Sequence, residues 1–179
     1  MEYILCRVEL LHPTTDWEFT WRRSRLSGLG SELASFLFRL LHDLIPTTER
    51  QGRIYQATAN TCRLCLSNSV DDLAHSFFYC PFNREFGMAI FQTLLTMDGT
   101  LTPEKLLRLE ITIDDDDMEL PTVWYVAANL LHIWNCRVNG RRAKLYTTRA
   151  EVESRVALLR ETRFRASADK ILEIINSEH

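Results

Sequence analysis

Apolar residues recur at three- and four-residue steps along most of the chain, the spacing that gathers them on one face of an α-helix. Leu33, Phe36, Leu37, Leu40, Leu41 and Leu44 make the first clear stripe, after an interruption at Gly28 and Gly30. Pro46 is expected to stop that helix, because proline removes a hydrogen bond and crowds the preceding turn. Ahead of it, Thr15-Asp16-Trp17-Glu18 has the spacing of a capping box, with Thr15 as N-cap and Glu18 reaching back. Thr47 or Thr48 opens a short polar helix through about Ala57. Ser69 and Asp72 suggest a helix start carrying Leu73, His75 and Phe78. Pro81 suits the first turn of the next helix, which carries Phe86, Ile90, Phe91, Leu94 and Leu95, and Thr102-Pro103-Glu104 opens another that ends near Leu109.

The strongest stripe is Leu120, Val123, Trp124, Ala127, Leu130, Leu131 and Trp134. It is apolar nearly all round, which predicts a central helix, closed by Asn139-Gly140 with glycine as the C-cap residue. Ile111 to Glu119 reads as an acidic loop before it. Beyond it, Thr148 and Glu151 form a second capping-box pair. The step from Leu159 to Phe164 then breaks the helical phase, predicting a kink or two helices. Only Tyr3 to Leu10 shows a weak strand-like alternation.

The texture changes over residues 60–80, NTCRLCLSNSVDDLAHSFFYC. Cys62, Cys65, His75 and Cys80 stand as C-x2-C-x9-H-x4-C. A two-residue gap lets the first pair converge from a tight turn, and a helix ending near Tyr79 would aim His75 and Cys80 inward. Three sulfurs and one nitrogen make a closed tetrahedral set that suits one structural Zn2+ ion and leaves no position for a catalytic water. Binding of this kind is folding free energy, of order 10 kcal/mol. Cys6 and Cys136 lie outside the spacing; Cys136 reads as a small buried hydrophobe. Phe77, Phe78 and Tyr79 could stack bases, but packing around the metal is the stronger expectation.

Composition narrows the class. The chain has 179 residues, 46% of them hydrophobic, enough for a real core. Glu2, Arg7 and Glu9 break up the N-terminal apolar residues, so no signal-peptide core forms. The run from Val123 to Trp134 is too short to span a bilayer. A soluble intracellular protein, nuclear or cytoplasmic, is expected, with reduced thiols and no membrane partner. The four consecutive Asp residues from Asp114 read as a solvated acidic segment rather than a two-metal site, since neighbouring carboxylates in a loop point apart. No phosphate-cradling glycine loop, nucleophile elbow or HExxH motif is present, so neither catalysis nor a small-molecule substrate is expected.

The basic residues are 18 Arg and three Lys, within a net charge of −3. Residues 137–165 hold Arg137, Arg141, Arg142, Lys144, Arg149, Arg155, Arg160, Arg163 and Arg165 against three Glu. Arginine suits bidentate phosphate contact. A nucleic-acid face for RNA or DNA is one reading, with Arg137, Arg141, Arg142, Lys144, Arg149, Arg160 and Arg163 as its candidates. A solvated face paired with the acids of 110–119 is the other. Arg22, Arg23 and Arg25 form a second, smaller cluster.

These residues together resemble a known family. SFLFRLLHDLIPTTER (35–50), CRLC (62–65) and DDLAHSFFYCPFNREFG (71–87) are similar to the zinc-binding region of non-LTR retrotransposon reverse transcriptases, over about residues 17–95. LTPEKLLRLE (101–110), the 120–134 helix and LRETRFR (159–165) resemble the C-terminal extensions of such polyproteins more loosely. The resemblance implies zinc ligands at Cys62, Cys65, His75 and Cys80, a role in engaging template RNA or target DNA, and the polymerase portion of a polyprotein as partner. The polymerase Y/F-x-D-D motif and an endonuclease are missing, so the chain resembles the tail of an element's reading frame. The expected architecture is mainly α, an irregular helical domain organised around one small zinc module. Residues 1–16 would be a lead-in, 17–98 the zinc-binding region with its module at 60–85, and 99–179 a helical extension with the basic stretch 137–165. A zinc-stabilised protein-interaction scaffold, or a domesticated or decayed element fragment, is the alternative.

Overall fold

The computed structural model describes residues 12–26, 28–56, 60–65, 67–96, 98–113 and 116–142, together with 154, 169 and 173. The fold is mainly helical. Its elements are α1 (Trp17–Ser24), α2 (Gly30–Leu41), α3 (Thr48–Tyr55), a π turn (His75–Tyr79), α4 (Arg84–Leu95), α5 (Pro103–Leu107) and α6 (Asp116–Val138). Among the described residues the only β pairing is a single antiparallel bridge between Thr61 and Val70. None of the described helices is long and apolar enough to cross a membrane.

Helix α6 is central, as its all-round apolar sequence implies. It packs on α1, α2, α4 and the π turn, and every residue from Pro121 to Leu131 is buried. Gly140 closes it with φ +63°. The Arg141 N–H reaches the Cys136 carbonyl at 2.8 Å and the Gly140 N–H the Arg137 carbonyl at 3.0 Å, the hydrogen bonds of a glycine C-cap. The core joins Phe36, Leu37 and Ile45 to Phe77, Phe78, Ile90, Leu106, Val126 and Leu130, so residues on both sides of position 98 share one apolar interior. At Gly87, α4 crosses the π turn so closely that a Cβ would lie 2.0 Å from the Phe77 carbonyl oxygen.

Several boundaries differ from expectation. The N-cap of α1 is Asp16, whose carboxylate accepts from the Phe19 N–H at 3.0 Å, while the Thr15 hydroxyl is buried without a partner. A charged cap favours the positive end of the helix dipole, and the shifted start lets Trp17 Nε1 donate to the His12 carbonyl at 3.1 Å. Helix α2 ends at Leu41, before Pro46, because Asp43 turns left-handed (φ +52°). Pro81 lies in a turn and α4 begins only at Arg84, since the chain must first leave Cys80 in an extended conformation. The acidic loop is shorter than 111–119: α6 already begins at Asp116. Thr47 and Thr102 cap α3 and α5 with their hydroxyls, within the positions expected. The Tyr3–Leu10 alternation, Cys6, the Thr148–Glu151 pair and the break between Leu159 and Phe164 lie outside the described residues.

Candidate metal centre

The cluster forms where two local structures meet. Cys62 and Cys65 sit on a tight turn whose base is closed by the Thr61–Val70 bridge, the Cys62 N–H to the Ser69 carbonyl (3.1 Å) and the Asp71 N–H to the Asn60 carbonyl (2.8 Å). Ser69 therefore belongs to this turn and does not start a helix. The start falls to Asp72, whose carboxylate accepts from the His75 N–H at 2.7 Å.

His75 and Cys80 are brought together by the π turn. Five positions on an α-helix lie about 140° apart, on different faces. Here the Cys80 N–H bonds to the His75 carbonyl at 2.7 Å, an i→i+5 closure that returns Cys80 over His75. The ring of His75 and the thiol of Cys80 then face the cysteine turn.

All four ligand atoms lie within 4.8 Å of one another. Cys62 Sγ is 3.8 Å from Cys80 Sγ, and Cys65 Sγ is 3.5 Å from His75 Nε2. At zinc-type bond lengths, a tetrahedral shell has edges of about 3.8 Å between sulfurs and about 3.5 Å from sulfur to nitrogen. The four residues can hold one metal ion. Their electrostatics fit a cation. Burial pushes the Cys80 thiol up to about 11, and the neighbouring Cys62 and Cys65 add to that rise. Burial also opposes ionisation of Cys62, but backbone N–H groups of Cys65 and Leu64 and the Arg137 guanidinium outweigh it and lower its pKa. Three thiolates at this spacing need a positive charge among them, which a divalent ion supplies.

Arg137 is the residue that sequence reasoning misplaced. It is buried on α6, its guanidinium 3.5 Å from Cys62 Sγ and 3.8 Å from Cys80 Sγ, and it pairs with the buried carboxylate of Asp71. It cannot belong to an outward nucleic-acid face. With a divalent ion bound, three thiolates and the Asp71 carboxylate would carry two net negative charges, and Arg137 offsets one of them. Asp71 ties the centre to the rest of the fold, accepting also from the Thr48 N–H at 3.0 Å and the Ser76 hydroxyl at 3.0 Å. In sequence Asp71 is one of a pair of ordinary acids; only its position between Cys65 and His75 hinted at the site.

Arg141 and Arg142 are exposed just past α6, with the Arg142 guanidinium 5.6 Å from the Phe82 ring centroid. Lys144, Arg149, Arg160 and Arg163 lie outside the described residues. Of the acids at 110–119, Glu119 pairs with Arg22 and Arg23 on α1 and Glu110 with Arg108. Phe77 and Phe78 are fully buried, so neither ring can stack a base; Tyr79 is exposed. Cys136 is half-buried, with its sulfur 3.3 Å from His132 Nε2. Comparison with family models, with curated proteins and with solved structures gives no match.

Proposed function

We propose that this chain is a non-catalytic accessory domain that binds one structural zinc ion and contributes to nucleic-acid binding, in the manner of the reverse-transcriptase tail it resembles. The observation that carries the reading is the convergence of Cys62, Cys65, His75 and Cys80, whose ligand atoms lie within 4.8 Å of one another. A four-ligand shell of this kind is closed, so the ion holds the cysteine turn, the π turn and α6 in register rather than activating water. Reduced thiols suit the nucleus or cytoplasm. The nucleic-acid part rests on exposed Arg141 and Arg142 at the head of a stretch that stays basic to Arg165, in which the polymerase portion of a longer polyprotein is the natural partner.

A zinc-stabilised protein-interaction scaffold is the second reading. It is favoured by the number of arginines already paired within the fold: Arg22, Arg23, Arg53, Arg108 and Arg137 all meet carboxylates. Elemental analysis of the purified chain and a salt titration of RNA and DNA binding separate the outcomes. One zinc per chain is expected, with affinity that falls steeply as salt rises. A metal-free native chain overturns the zinc assignment, and no binding at low salt overturns the nucleic-acid role.

A further inference from the structure

Helices α1 and α2 carry a ladder of aromatic rings. Trp17 stacks on Trp21 (centroids 5.4 Å, 26° between planes), Trp21 on His42 (4.5 Å, 25°), and Phe38 leans on His42 (4.1 Å, 49°). Trp17 and His42 are buried, Trp21 is half-buried, and Phe38 is 45% exposed. The ladder is therefore closed at one end and presents an aromatic ring to solvent at the other.

Beside it runs a groove of about 830 Å³ bordered by Trp21, Phe38, His42, Arg25 and Arg39, with no carboxylate among the described residues of its wall. Each arginine is tethered to its own helix through Nε, Arg25 to the Trp21 carbonyl at 3.1 Å and Arg39 to the Ser35 carbonyl at 3.4 Å. No carboxylate among the described residues pairs with either. Arg22 and Arg23 differ, being held by Glu119. Trp21 Nε1 and His42 Nδ1 are buried without a hydrogen-bond partner. Burial lowers the pKa of His42, which keeps the ring neutral between its aromatic neighbours.

An exposed ring and two cationic forks in one groove match a ligand that carries flat rings and phosphates together. Duplex bases cover their own faces, so a single strand fits and a duplex does not. We propose that the groove between α1 and α2 is a subsite for single-stranded nucleic acid, with Phe38 stacking a base and Arg25 and Arg39 contacting the flanking phosphates. The inference rests on the nucleic-acid reading above and adds to it a contact remote in sequence from the basic stretch.

The test uses the full zinc-loaded chain and fluorescently labelled single strands of oligo-dT and oligo-U, with a duplex of equal length as control. Phe38→Leu keeps the apolar surface and removes the stacking face; single-strand affinity should fall about tenfold, while Phe38→Tyr retains it. Replacing Arg25 and Arg39 by Ala together should reduce the salt slope by about 1.4. Duplex affinity should ignore Phe38→Leu. If Phe38→Leu and the double arginine variant bind single strands as the parent does, while Ala at Arg141 and Arg142 weakens binding, the subsite is wrong and the nucleic-acid reading survives. If leucine at position 38 alone keeps full affinity, Phe38 stacks no base and the subsite is again wrong. If the parent chain binds no strand at low salt, both fall.

Discussion

Two buried arginines organise two regions of this molecule, and they do so on different terms. Arg23 on α1 gathers the segment before α6: its guanidinium donates to the Leu109 and Ile111 carbonyls, both at 2.7 Å, and to Glu119 at 3.1 Å. Nearby, the Thr20 hydroxyl donates to the Arg108 carbonyl at 3.1 Å. Arg137 on α6 instead meets two cysteine sulfurs and Asp71. The partners of Arg23 are backbone dipoles and a carboxylate, present whenever the chain is folded. Those of Arg137 include the sulfurs of Cys62 and Cys80, two of the four groups that can hold a metal ion. The first region is complete from the chain's own groups, whereas the second gathers four groups that can hold a metal ion. The apolar core of α2, α4 and α6 lies between them and reaches both.

Removing the metal breaks this comparison most severely. With the proposed ion bound, chelation or Cys65→Ser should take away a contribution of order 10 kcal/mol to the fold of the second region. Amide hydrogen exchange should become fast there and in the first turn of α4, while protection persists at the Arg23-held segment 108–112. Uniform loss of protection along the chain would mean that the two regions are one cooperative unit.

The arginines themselves sharpen it. Arg137→Ala leaves Asp71 buried without its partner and should destabilise by about 3–5 kcal/mol; loss of an outer-shell partner should also weaken metal affinity by about 10–100-fold. Arg23→Ala leaves two buried carbonyls unsatisfied, at a cost of about 1–3 kcal/mol for each, and should leave metal affinity unchanged. Denaturant titration with a competing chelator measures both quantities. Equal metal affinity in the two variants would remove the distinction.

The smallest effect belongs to Asp98, which is bonded to the segment that Arg23 gathers. It is buried and accepts from the Thr100 N–H and hydroxyl and from the Thr112 N–H at 2.8 Å. Burial opposes its charge, but those donors outweigh burial and bring its pKa down to about 2. A carboxyl depressed in the folded state stabilises above its unfolded pKa of about 3.9, and the contribution is lost as pH falls from there toward 2. Asp98→Asn should cost about 1.5–3 kcal/mol at neutral pH and flatten the acid limb of stability below pH 4. An unchanged acid limb would show that the loop is not held by this carboxylate.

The site was more legible than its surroundings. The ligand spacing of Cys62, Cys65, His75 and Cys80 pointed to a metal cluster, because chelation by a short segment is written in local intervals. The stripe at 120–134 announced the central helix for the same reason, since periodicity is a property of neighbouring positions. Capping at Asp16 rather than Thr15 was a choice between adjacent residues that each could make. The π turn was invisible, because H-x4-C gives the interval but not the hydrogen-bond pattern that closes it.

Arg137 and Arg25 mark the limit most clearly. Both belonged to basic clusters, and charge alone assigned them alike. Arg137 is buried because the π turn and the cysteine turn bring Asp71 and two sulfurs to its helix face, partners 57 to 75 positions away. Arg25 stays open because Glu119, which neutralises Arg22 and Arg23, does not reach it. Helical periodicity and ligand spacing are local and survive in a one-dimensional chain. Which charges are buried, paired or left to meet a ligand depends on contacts between distant segments, and the packing of α1, α2 and α6 decided that.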